Sequence, residues 1–262
     1  MTIDAYLRTV AAILAGMALL SVIETLAPFF HKPDWRRRHR FPNLALAALT
    51  LSLNFAFNAG AVIATAWLTA RGFGLLAGVP IPAPAMLLLG IVVLDGSTYA
   101  CHRLLHALPP LWKVHAVHHS DPLVDVTTTT RQHPIEGLWR FLFIMTPAWA
   151  LGISVEAVAA YRVVSVLIGL AEHTNVKLWQ PLDRALSGLV CTPNMHKLHH
   201  SRRAIETDTN YGNILSWFDR AFGTFTPSDR AAHVETGLAG FDDAGSQGLG
   251  SLLRLPFRSR ET

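Results

Sequence analysis

Charge is what this sequence has least of. Only 15% of its 262 residues are Asp, Glu, Lys or Arg, against about 25% in ordinary soluble domains. A water-exposed surface of normal composition is therefore excluded, and a membrane or an unusually large core has to account for the deficit. Cysteine is equally scarce. Cys101 and Cys191 are too few for a disulfide framework, and a reducing cytosol would not favour a bridge. Both flank histidine motifs and read as small buried residues, because the histidines can complete a site without them. There is no thiolate cluster, no serine or cysteine nucleophile elbow and no nucleic-acid-binding module, so no nucleic-acid partner is expected.

What fills the space is apolar sequence. Hydrophobic residues make up 51% of the chain and the mean hydropathy is +0.32. Residues 10–30 form one apolar run with a single acid, Glu24, and residues 44–70 form a second. Residues 85–100 follow a Pro-rich break, and residues 138–170 carry Arg140, Pro147, Gly152, Glu156 and Arg162 as interruptions. A bilayer core takes about 20 apolar residues per helix, so the first two runs are long enough to cross. The third crosses if residues 73–84 share the thickness or if the span is short. The fourth reads as a helical hairpin turning near residues 152–154, either spanning or re-entrant. The first run lacks a basic start and a small-residue cleavage site and is read as a retained span. The expected fold is an all-α integral membrane protein with about four transmembrane helices, the last pair a hairpin, under a cytosolic helical cap. As one domain, it divides into membrane helices (8–101), a histidine-rich segment (102–137), the hairpin (138–171), a second histidine-rich segment (172–226) and an irregular tail (227–262). Within that tail, residues 251–257 are expected to form a short amphipathic segment touching lipid.

Orientation follows from basic residues in short loops. Lys32, Arg36, Arg37, Arg38 and Arg40 crowd the first loop, whereas residues 71–84 hold only Arg71. The first loop is thus expected in the cytosol and the second outside, which returns the chain to the cytosol near His102. In a bacterium the membrane would be the inner one. The net charge of +4 fits either anionic headgroups on that face or topology alone.

The chain has 13 histidines, and most fall into motifs. His102 and His106 are four apart, and His-x-x-His-His occurs twice, as His115, His118, His119 and as His196, His199, His200. On a helix, residues three and four apart share a face. The first and third histidines of each repeat can therefore share a metal while the middle one is rotated by about 100°. That splay suits two neighbouring metals. Eight imidazoles also exceed the four to six donors of one ion, and crowding them at a membrane edge is costly unless a metal compensates. His31, His39 and His233 have no partners at ligand spacing and are read as ordinary histidines. His173 closes the hairpin at the depth of His102 and is a candidate ligand. His133, in a Thr-rich loop, reads equally as ligand, as support for a ligand or as substrate contact. Asp95, seven residues before His102, is placed to accept an imidazole N–H and fix its tautomer, unless it is simply a helix-end residue. Tyr99 could do the same or line a pocket. An all-imidazole site suits zinc, iron, copper or nickel.

The ordered set His-x3-His, His-x2-His-His, His-x2-His-His resembles the fatty acid hydroxylase/sterol desaturase superfamily of membrane non-haem di-iron enzymes. The resemblance extends to Asp95-Gly-Ser-Thr-Tyr99 before His102-Arg103, to Leu111-Trp112, and to His118-His119-Ser120. It also takes in residues 128–134 ending in Arg131-Gln-His-Pro134, Asn210-Tyr211-Gly212-Asn213, Asp219-Arg220 and Phe222-Gly223-Thr224. It covers residues 20–260, with one departure at Phe218, where many members have Trp. The resemblance implies a four-helix membrane base, a cytosolic cap holding two iron ions, and oxidation of an unactivated lipid C–H bond with dioxygen and two electrons. It further implies that Asn175 and Asn210 support the ligands. No cytochrome b5-like His-Pro-Gly-Gly segment is present, so the electron donor is expected to be separate: a ferredoxin, a cytochrome b5-like protein or a reductase. Desaturation and ether-lipid oxidation are variants on the same site. A zinc-dependent membrane hydrolase and a non-catalytic metal- or lipid-binding protein are the competing classes.

Overall fold

The computed structural model describes residues 3–31 and 38–258. The basic residues Lys32, Arg36 and Arg37 that set the expected orientation lie outside the described residues.

The apolar runs become helices. α1 spans Ile3–Leu26, α2 Arg40–Thr69 and α3 Ala83–Ala107. Three helices among the described residues are long and apolar enough to cross a membrane: α1 over Leu7–Leu26, α2 and α3. The third run is longer than its apolar stretch because Pro82 and Pro84 start α3 early and the helix continues through its two histidines. Leu108 breaks it, and α4, Pro109–His119, begins on a proline, which costs nothing where the N–H has no helical partner.

The expected hairpin is α5, Pro134–Leu151, and α6, Val155–His173. Its turn lies at the expected place for local reasons. Gly152 takes the left-handed conformation that ends α5, with φ 76, and the Ser154 side chain caps α6 by accepting the Ala157 N–H. Gly74 packs against that turn so closely that a Cβ there would sit 2.6 Å from the Gly152 Cα. At 18 and 19 residues the hairpin helices are long enough but not apolar enough to count as spans, so three of the described helices rather than four do so.

α3 is central, packing against α4, α5 and α6, while α1 lies on α6 and α2 on α5. Leu94, Met145, Ala148, Ala157 and Tyr161 form the core between them. Outward, Leu19, Val22, Ile63, Trp67, Leu88, Leu142, Val163 and Leu167 are exposed, an apolar girdle that water would penalise.

The cap is made of short elements: a 3-10 turn at Val126–Thr130, α7 Gln180–Leu186, α8 Pro193–His199, α9 Ala204–Thr207, α10 Trp217–Ala221 and a 3-10 turn at Ser228–His233. In the tail, α11, Leu249–Arg254, and the turn after it bury Leu252 and Leu255 against Leu46 and Val117 and leave Phe257 exposed.

His39, read from sequence as having no partner at ligand spacing, sits instead in a buried ion-pair cluster. It is fully buried, with Nδ1 3.0 Å from Asp121 Oδ1 and Nε2 3.3 Å from Asp125 Oδ2. Burial alone would push its pKa down, but Asp121 and Asp125 outweigh burial and raise it to about 10. Arg131 acts on Asp121, Arg40 lies 3.5 Å from Asp125, and Glu24 and Lys197 also feel the Asp125 charge. A raised pKa contributes stability in full below the unfolded value near 6.5 and loses it as pH rises through the folded one. The melting temperature is therefore expected to fall between about pH 7 and 10, by the equivalent of about 2–4 kcal/mol. His39→Gln should flatten that decline, and an equal slope in both proteins would refute the assignment.

Candidate metal centre

Helical spacing sorts the histidines into two groups. His102, His106, His115, His119 and His199 form one, and His118, His173, His196 and His200 the other; within each, one nitrogen per residue lies within 4.8 Å of all the others. α4 sends its first and third motif histidines to the five-histidine group and its middle one across. The 196–200 motif does the reverse, sending His196 and His200 to the four-histidine group and His199 across. The groups adjoin, with the His119 and His200 rings 4.6 Å apart.

The rings are held from their outer edges. His102 Nδ1 donates to the Tyr211 carbonyl at 2.8 Å, His199 Nδ1 to that of Thr209 at 2.8 Å, and His173 Nδ1 to that of Gly169 at 2.7 Å. His106 Nδ1 lies 3.1 Å from Asp208 and His115 Nδ1 3.0 Å from Glu136. A carbonyl only accepts, so the proton sits on Nδ1 in the first three, and the carboxylates favour the same tautomer in the other two. Their Nε2 atoms then present bare lone pairs inward. His102 Nε2 faces His115 Nε2 at 3.1 Å, and His173 Nε2 faces His196 Nε2 at 2.8 Å. His106, His119 and His199 each have a buried Nε2 without a hydrogen-bond partner. Lone pairs facing one another, beside orphaned acceptors, fit cations lodged between them. Burial, then neighbouring histidines, push His115, His119, His196 and His200 well below the usual histidine range; burial is likewise the largest cause for His118 and His199. All six are thus neutral imidazoles, the form that binds metal.

Four expected supports have other partners. Asp95 does not reach an imidazole. Its carboxylate accepts the backbone N–H groups of Ile214 and Leu215 at 3.1 and 2.8 Å, fixing the loop whose Tyr211 carbonyl holds His102. Tyr99 bonds Thr224 through its hydroxyl and stacks on Phe218; Phe218 in turn covers Gly96. His133 lies outside both groups. Its Nδ1 accepts the Ile135 N–H at the start of α5, and its Nε2 is 3.2 Å from the Leu253 carbonyl. Asn175 pairs its side chain with both backbone groups of Phe30 and gives its own N–H to Glu24, tying the end of α1 to the residues after His173. Asn210, at φ 56, pairs its side chain with the backbone of Thr226. Cys101 and Cys191 are buried free thiols.

Sequence reasoning gave no role to Glu136, Glu172 or Lys197. Glu136 joins His115 to Arg140, whose Nε donates to it at 2.8 Å. Glu172 lies 3.8 Å from both His173 and His196. Lys197 Nζ donates to the Glu172 and His173 carbonyls. For Glu172 and Lys197 the available signal was an acid or lysine directly beside a candidate histidine; Glu136 had no such signal.

Below the groups lies a cavity of about 610 Å³, walled by α1, α2, α3, α5 and α6 and reaching His102, His118, His173 and His196. Fold and donors together define a class: helical chains with two adjacent all-imidazole groups that could hold metal ions at the end of a largely apolar cavity. The chain belongs to the fatty acid hydroxylase family, whose sequence profile matches residues 87–224. It is 34% identical over 160 residues to the ornithine lipid hydroxylase OlsE of Rhizobium tropici, covering 61% of this chain and 47% of that protein. To the alkylglycerol monooxygenase of Danio rerio it is 35% identical over 147 residues, 55% of this chain and 32% of that one. The human alkylglycerol monooxygenase is 31% identical over 132 residues, 50% and 28% of the two chains. The match thus spans less than half the length of each of these relatives. No solved structure matches the chain.

Proposed function

We propose that this chain is a multi-pass membrane oxidoreductase that hydroxylates a lipid C–H bond with dioxygen at a di-iron centre on the cytosolic face. The observation that carries the proposal is the pairing of two adjacent all-histidine groups with an apolar cavity ending on both. One iron would be held by His102, His106, His115, His119 and His199, and the other by His118, His173, His196 and His200. Family membership and relatives named for lipid hydroxylation and alkylglycerol oxygenation support a lipid substrate; the latter name keeps an ether lipid among the candidates. The irons would supply activation of dioxygen, one oxygen atom entering the C–H bond and the other leaving as water with two electrons and two protons. The chain's own residues do the rest. Glu136 and the carbonyls of Tyr211, Thr209 and Gly169 set ring orientation, Asp95 and Asn175 fix the segments that bear them, and the cavity excludes water. The exposed apolar faces of α5 and α6 support placing the hairpin in lipid, with 102–137 and 172–226 above it. Electrons come from a separate donor protein. The test supplies oxygen-18 gas to iron-loaded protein with reductant and membrane lipids. One labelled oxygen in a lipid product is expected, whereas unlabelled product, or turnover without oxygen, would refute the reading.

A further inference from the structure

The cavity is not uniformly apolar. Thr50, Asn54 and Asn58 recur every four residues along α2, which puts them on one face, and all three line the cavity. From α6, Arg162 reaches the same space and donates to Asn58 Oδ1. The Thr50 hydroxyl is buried without a hydrogen-bond partner. Polar groups at this depth are expensive, and a hydrophobic tail would leave them poorly solvated.

Arg162 is eleven residues before His173, and at 1.5 Å per residue its backbone lies roughly 16 Å along α6 from the metal centre. We infer that this band is a second recognition point of the cavity, which binds an uncharged acceptor oxygen, a mid-chain ester or ketone carbonyl, in the lipid being oxidised. The inference rests on the proposal that the cavity holds the lipid. The chemistry selects the group. Arg162 offers only donors, Asn58 has committed its oxygen to Arg162 and keeps its amide hydrogens, and Thr50 has a hydroxyl to give. Glu156, which also lines the cavity from α6, puts a negative charge into the same space, so a neutral acceptor is favoured over a carboxylate. Binding there would fix how far down the chain the carbonyl lies and hence which carbon meets the metals.

The experiment measures binding by thermal stabilisation of the full iron-loaded chain in detergent. The probes are a saturated long-chain alcohol and its analogue with one ketone in mid-chain. Wild type is expected to bind the ketone about tenfold more tightly. Arg162→Leu and the near-isosteric Thr50→Val should each bring the two affinities together while still binding the alcohol. Equal affinities in wild type would overturn the inference and leave the lipid reading standing, whereas binding of neither probe would overturn both. Variants that lower the melting temperature yet keep the tenfold preference would mark the band as a helix clamp and also overturn it.

Discussion

His118→Ala should abolish lipid oxidation, by at least about 100-fold, and empty the four-histidine group while the helical fold persists. The effect is large because His118 has no substitute. It is the one α4 histidine sent to that group, its Nε2 is 3.1 Å from that of His173, and its ring is 4.6 Å from that of His200. Three imidazoles would remain around a metal that the site was built to hold with four. His133→Ala is the matched control. That ring is spent on the start of α5 and on Leu253, so metal content and oxidation are expected to stay near wild type. Metal analysis and lipid turnover on both variants check the pair. Full metal content and oxidation in His118→Ala would refute the grouping.

The largest stability effect is expected at Arg131→Met. Arg131 is wholly buried, and its guanidinium is shared among three parts of the fold. Nε donates to the Val117 carbonyl at 2.8 Å, Nη1 to Asn43 at 2.8 Å, and Nη2 to Ser120 at 2.8 Å and to Gln247 at 2.6 Å. It thereby joins α2, the end of α4 and the tail, next to the Asp121–His39 pair. Removing it leaves Asp121 with one fewer cation and takes a donor from four acceptors, of which the Val117 carbonyl keeps the Ser120 hydroxyl. Breaking a buried charge network in this way costs about 3–5 kcal/mol. Gln247→Leu, which removes one partner, should cost about 1–3 kcal/mol. Thermal unfolding in detergent measures both, and an unshifted Arg131→Met would show that the network is not a stabilising element.

The contrast between these two sites shows what the sequence made legible. The metal groups rest on helical geometry within a few residues. Four-residue spacing aligns His102 with His106, and the 100° step splits each His-x-x-His-His, so both could be read without knowing the fold. The hairpin turn was legible for the same reason, since Gly152 and Ser154 are local signals. Asp95, His39 and Arg131 depend on segments far away in the chain. The spacing of Asp95 from His102 suggested an imidazole partner, but the loop at 214–215 claims its carboxylate. His39 has no partner nearby in sequence, and the acids that make it special follow the first His-x-x-His-His motif. For residues 251–257 an amphipathic pattern looks the same whether a bilayer or a protein core covers it, and here Leu252 and Leu255 meet the core.

The central claim is two metals, one in each histidine group, and their stoichiometry tests it most directly. The full chain, purified without oxygen from iron-replete cells, should carry two iron ions per chain, and His118→Ala should carry one. A single metal per wild-type chain, or tightly held zinc accompanying full activity without oxygen, would contradict the account.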